Sequence, residues 1–212
     1  MEHLFALITL VLMLVLLLTA CGGKRTLTPT PTPTLPYVED LQAALLTTSD
    51  LPVGWIAQPG STSNELSTLS CDRALNLPDV HLVTASESFE TADEAHLSEA
   101  IAAFHPGEAE AWLTALKDGP QCGGVDQGEQ DGTPVVGLVM QPAYPPMGEP
   151  SYSLRVTTRG PVATYFTDLL YVRIGDFIIQ LGDTVVGRPN PAQMTRFAQQ
   201  AILDFQGARL AP

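Results

Sequence analysis

Apolar residues recur along the chain with two periods, and the period sets the kind of element each stretch can form. Residues 4–18 are apolar except for Thr9. Val38, Leu41 and Leu45 are spaced by three and four, which predicts a short helix over 38–47. It ends where Asp50-Leu51-Pro52 bars helical geometry. A strand begins at Gly54-Trp55-Ile56, and a polar loop follows over 58–70. Residues 82–89 predict a strand. Thr91-Ala92-Asp93-Glu94 then fits a capping box, and Leu97, Ile101 and Phe104 fall on one face of the helix it would start. After Pro106-Gly107, a second helical stripe runs through Ala109, Trp112, Leu113 and Leu116 to Gly119-Pro120. Residues 123–132 read as a polar loop, 135–140 as a short apolar strand, and the proline-rich 141–151 as no central strand.

The C-terminal part alternates with period two. Tyr152, Leu154 and Val156 interleave with Ser153, Arg155 and Thr157; Arg159-Gly160-Pro161 turns the chain; 162–174 is a long strand. Gly175-Asp176 is a two-residue turn, and 177–181 pairs back. Asn190 and Pro191 open a last helix with Met194, Phe197, Ala198, Ala201, Ile202 and Phe205 on its apolar stripe, ended by Gly207. Consecutive strands joined by tight turns must be antiparallel. With helices before and after them, the expected class is α+β: a curved antiparallel sheet with helices packed on one face.

The apolar run at the start is too short for a membrane span and suits the core of a signal peptide. It ends in Leu18-Thr19-Ala20-Cys21-Gly22-Gly23, which resembles a bacterial lipobox, where the cysteine is lipidated and becomes the new N-terminus. The leading Met-Glu-His carries no Lys or Arg, whereas Lys24 and Arg25 lie beyond the run, so an uncleaved signal anchor is the other reading. Either tethers the chain. Residues 26–36 alternate Thr and Pro, a polyproline II spacer reaching about 35 Å at roughly 3.1 Å per residue. The expected organisation is a signal peptide over 1–20, a lipidated Cys21 and tether over 21–36, and one α+β domain over 37–212. The expected address is the extracytoplasmic side of a cell membrane. In an exported chain Cys71 and Cys122 remain as an even pair, for which a disulfide is the default and two buried free thiols the alternative.

Charge narrows the partners. The chain carries a net −13, which argues against nucleic acid and against an anionic membrane surface. Residues 37–150 hold 18 acids against Arg73 and Lys117, while 151–212 hold four aspartates against six arginines. The two parts neutralising each other across the surface is the plainest account.

Several segments, in order, resemble the extracellular sensor domains of actinobacterial serine/threonine kinases and their stand-alone lipoprotein versions. They are LLTTSDLPVGW (45–55), SFETADEAHLSEAIAAF with the Trp, helix and Cys that follow, and LLYVRIGDFIIQL with the final amphipathic helix. The resemblance spans about 41–206. It implies an α+β sandwich with a cleft and a sensing or ligand-binding role, not catalysis. That family often carries two disulfides, and here Cys71 and Cys122 leave room for one. A second resemblance is to the antiparallel folds of photosystem-accessory and small lipoprotein domains.

Strand parity offers one candidate site. If Leu154, Val156, Phe166, Leu170, Val172 and Ile174 face the core, the opposite face groups Arg155, Arg159, Tyr165, Tyr171 and Arg173, with Tyr144 from the proline-rich loop as a lid. Such a surface suits anionic or amphipathic ligands; the other reading is that the arginines pair with the acidic half or keep an exposed face soluble. Asp93, His96 and Glu99 would share one side of a helix, with His105 following, but no second motif completes a metal site. Asp126, Glu129 and Asp131 miss the order of a calcium loop. No Gly-x-Ser-x-Gly, Ser-x-x-Lys or phosphate cradle is present, and Trp55 and Trp112 read as core or cleft wall. The expectation is a lipid-anchored, non-enzymatic binding or sensor domain without a cofactor, whose partner is a small molecule or an envelope protein. An envelope-assembly accessory that docks onto another membrane protein is the alternative, and an unrecognised hydrolase a third.

Overall fold

Among the described residues, eight strands, numbered in chain order, form one antiparallel sheet in the order β1-β2-β3-β8-β7-β6-β5-β4. The computed structural model describes residues 35–58, 66, 77–78, 80, 82–119, 125–130, 133–148, 150–160 and 162–208. Cys21, Cys71 and Cys122, and with them the expected signal peptide, most of the expected tether and the expected crosslink, lie outside these residues. Along the chain come α1 (Val38–Gln42), β1 (Trp55–Ala57), β2 (Leu82–Thr91), β3 (His96–Phe104) and α2 (Glu108–Asp118). There follow β4 (Val125–Gln130), β5 (Thr133–Met140), β6 (Ser151–Arg159), β7 (Thr164–Ile174), β8 (Phe177–Val186) and α3 (Pro191–Gly207). The α+β class with an antiparallel sheet is as expected. Among the described residues no helix is long and apolar enough to cross a membrane.

The sheet has two cores, one on each face. On the first, α1 and α3 bury Leu41, Met194, Phe197, Ala201 and Phe205 against Phe89, Leu97, Ile101, Leu170, Val172, Ile179 and Leu181. Trp55 meets Phe197 edge-on, ring centroids 5.7 Å apart. On the second, α2 buries Ala109, Trp112, Leu113 and Leu116 against Ala102, Phe104, Tyr152, Leu169, Tyr171 and Ile178. Both tryptophans are core residues. Helices therefore lie on both faces of the sheet, where periodicity pointed to one.

Two segments differ from expectation. The stretch after Thr91 forms no helix. It is β3, hairpinned to β2 through a turn in which Thr91 Oγ1 accepts from Ala95 N–H at 3.2 Å and Glu94 adopts φ +61°. Leu97 and Ile101 are four apart, an even spacing that places them on one face of a strand as readily as of a helix. Residues 125–130 are β4, not loop, paired with β5 so that Gln130 opposes Thr133. Asp131-Gly132 between them is a two-residue turn signal, although those two residues lie outside the described set.

Other local signals hold. Ile174 pairs Phe177 across Gly175-Asp176, with Gly175 at φ +59°. Asp176 Oδ1 accepts from Gly107 N–H at 2.8 Å, which seats the start of α2 on that turn. Asn190 Oδ1 accepts from Gln193 N–H at 3.2 Å, and Pro191 opens α3. The first helix is shorter than its apolar spacing suggested: α1 stops at Gln42, and Leu45 and Leu46 are buried in the turns that follow.

Candidate functional site

β5 pairs with β6 only over Arg155–Thr158, through Gly137 to Met140. The chain then leaves the sheet as residues 141–148, a strap rich in proline that cannot keep donating to a ladder. The strap returns through buried Met147, which packs into the first core. Gly148 follows at φ +66°; a Cβ there would sit 2.9 Å from Val172 Cγ1, so this close approach needs glycine. Between the strap and the start of β6 lies a cavity of about 320 Å³. It is lined by strap residues 141–144, by Ser151, Tyr152 and Ser153 of β6, and by Leu170 of β7. Ser153 Oγ donates to Pro142 O at 3.0 Å and ties strap to strand.

A charged clamp stands beside it. Arg155 and Asp168 are cross-strand partners on β6 and β7. Arg155 Nε donates to Asp168 Oδ1 at 2.5 Å, and a terminal guanidinium nitrogen donates to Oδ2 at 2.7 Å, a bidentate pair. The Tyr144 hydroxyl, from the strap, also donates to Asp168 Oδ2. The hydrogen bond to Asp168 holds the Arg155 guanidinium above its ordinary value. Burial, reinforced by Asp168, keeps the Tyr144 phenol protonated well above the usual tyrosine range. Asp183 of β8 lies opposite Asp168. It is 3 % exposed, and burial, then the Asp168 charge, push its carboxyl up to about 6.

A third buried carboxyl sits on the same face. Glu99 of β3 is 1 % exposed, and its Oε2 accepts from Leu46 N–H at 2.6 Å. Burial pushes it up to about 8; the Leu46 hydrogen bond opposes this, and the charges of Asp204 and Asp50 add to it. Glu99 thus fastens the segment after α1 to the middle of the sheet.

The five residues grouped by strand parity do not share one face. Arg155 pairs Asp168 and Thr158 pairs Tyr165, so odd residues of β6 share a face with even residues of β7. Arg155 and Arg159 lie on the α3 face, Tyr165, Tyr171 and Arg173 on the α2 face. Tyr171 is fully buried, 5.9 Å from Trp112 between ring centroids and stacked on Tyr152 at 6.4 Å. Arg173 reaches Glu110 of α2 at 3.7 Å and donates to Gly175 O at 3.2 Å, one contact joining the acidic and basic parts of the chain. What the structure does bring together is Tyr144 with Arg155. Asp168, which holds them both, and Asp183 opposite it were not singled out in the sequence. The signal was available: each is a lone acid inside an apolar strand.

The metal candidates are separated as well. With β3 a strand, His96 is exposed and Glu99 buried on the opposite face, while Asp93 lies in the hairpin turn and His105 beyond the strand. Among the described residues no group of three His, Cys, Asp or Glu side chains could hold a metal ion. Asp126 and Glu129 sit on β4 either side of a register shift, and Asp131 lies outside the described residues.

The architecture has a solved counterpart. The chain is similar in structure to the extracellular domain of PknH from Mycobacterium tuberculosis, with a TM-score of 0.59 over 84 % of this chain and 99 % of that one, at 12 % identity. At that identity the likeness concerns the fold alone. No protein-family model matches the chain, and no curated protein matches it.

Proposed function

We propose that this chain is a lipid-anchored, extracytoplasmic binding domain of the sensor type, held by lipid on Cys21 and a Thr-Pro leash, with no catalytic role. The observation that carries it is the strap cavity: a preformed concave site built onto a fold like that of a kinase extracellular domain. The lipobox-like run before Cys21 supports the address, and export supports a Cys71–Cys122 crosslink. The ligand side of the reading changes in one respect. Arg155 is paired with Asp168, and Arg173 stands on the other face, so these two do not form one anion-binding surface.

Three measurements test this reading. Radiolabelled palmitate should enter the chain and fail to enter Cys21→Ser. Alkylation of the native chain should leave Cys71 and Cys122 unlabelled until a reductant is added. Native mass spectrometry of the full chain in detergent should find a small molecule bound in unit stoichiometry. Cytosolic chain, with no palmitate incorporated and both thiols alkylatable, would remove the reading.

The accessory alternative has one observation in its favour. Leu138 and Met140 of β5 are exposed by 53 % and 55 % on a single sheet face. Co-purification of a stoichiometric membrane protein, lost in Leu138→Ser, would favour it.

A further inference from the structure

We propose that the strap cavity binds a small neutral sugar, an uncharged polyol rather than an anion. This rests on the reading of the cavity as a binding site. At about 320 Å³ it lies at the small end of ligand pockets. Among the described residues that line it, none carries a charge. Gln141 offers a carboxamide that both donates and accepts. Ser151 and Ser153 offer hydroxyls, and since Ser153 donates to Pro142 O, its lone pairs are left to accept from a ligand hydroxyl. Pro142 and Leu170 supply apolar surface for the ring hydrogens of a sugar, and Tyr144 closes the side.

The neighbouring charges disfavour an anion. Arg155 gives two donors to Asp168, and Tyr144 gives a third, so neither is left over for an anionic ligand in the cavity. Asp183 beside Asp168 adds negative charge once ionised. An anion would shed water with no partner in return. A polyol exchanges hydrogen bonds to water for neutral ones of the same kind. The site also has backbone to offer. β6 over residues 151–154 has β7 on one side and, where β5 has ended, the diverging strap on the other.

The test titrates the full chain in detergent with glucose, N-acetylglucosamine and glucose 6-phosphate, read by saturation-transfer NMR and calorimetry. The neutral sugars should bind, and the phosphate at least tenfold more weakly. Gln141→Ala, at an exposed position, should weaken the neutral sugars about fivefold without moving the melting temperature. Silence of all three probes overturns the inference, as does equal binding by Gln141→Ala. Preference for the phosphate, lost in Arg155→Gln, overturns it too, yet leaves the chain a ligand-binding domain. The palmitate and mass-spectrometry measurements judge that broader reading separately.

Discussion

The two faces of the sheet are closed by different chemistry. The α2 face is an aromatic seal: Phe104, Trp112, Tyr171 and Tyr152 follow one another with centroids 5.9 to 6.4 Å apart. Burial, and then Tyr152, hold the Tyr171 phenol above the usual range, so the aromatic seal itself stays uncharged, and the charges on this face, Arg173 and Glu110, meet at its margin. The α3 face has its own apolar core but also carries Glu99, Asp168 and Asp183, each at most 3 % exposed. Only Asp168 has a cationic partner there among the ion pairs of the described residues. The core of one face is therefore held by apolar and aromatic packing, while the core of the other also contains buried carboxyls whose protonation matters. The strap, the cavity and the segment after α1 all belong to the second.

The largest expected difference between the faces is in pH dependence. Glu99 and Asp183 are raised in the folded chain, so the folded state binds their protons more tightly than the unfolded state. Their contribution is complete below about pH 4 and is lost as pH rises, through about 6 for Asp183 and about 8 for Glu99. Each group removes about 1.4 kcal/mol per pH unit inside its window. Denaturant melts from pH 4 to 9 should show that fall. Glu99→Gln, which keeps an acceptor for Leu46 N–H, should flatten the upper part, and Asp183→Asn the lower. A profile unchanged by Glu99→Gln would mean the Glu99 carboxyl ionises in the fold at no cost.

Packing comes next. Trp112→Ala on the α2 face should cost about 4 kcal/mol and leave the shape of the pH profile intact. If the profile changes as well, the two faces are not independent. The clamp gives the next effect. Arg155→Gln strands the buried Asp168 carboxylate and should cost about 3 kcal/mol, with amide exchange quickening in residues 141–148. Tyr144→Phe removes one donor to that carboxylate and should cost about 1.5 kcal/mol, with the same exchange signature but smaller. Exchange unchanged in the strap for both variants would show that the clamp does not hold it.

Much of the fold was legible in the sequence. Period-two alternation in β6 to β8 and the cap of α3 are local signals, and they survive in the structure. β3 was not legible because its spacing of four serves both periods and its three alanines favour a helix. The site failed for a different reason. Arg159 and Thr164 close the β6–β7 hairpin across residues 160–163. An even number of intervening residues pairs odd positions with even ones, so grouping Arg155 with Tyr171 placed them on one face when they lie on two. Counting that loop would have put Asp168 beside Arg155. The contact of Tyr144 with both depends on the path of the strap, which no local pattern encodes.

An open sheet has two rims, and an unguarded rim invites a neighbour to add its own strand. Here one rim strand, β1, is only three residues long, and the other, β4, breaks step with β5 between Asp126 and Glu129. Neither is a straight template. Copies crowded together at high density would collide without zipping into a continuous ribbon, and each would keep its cavity to itself.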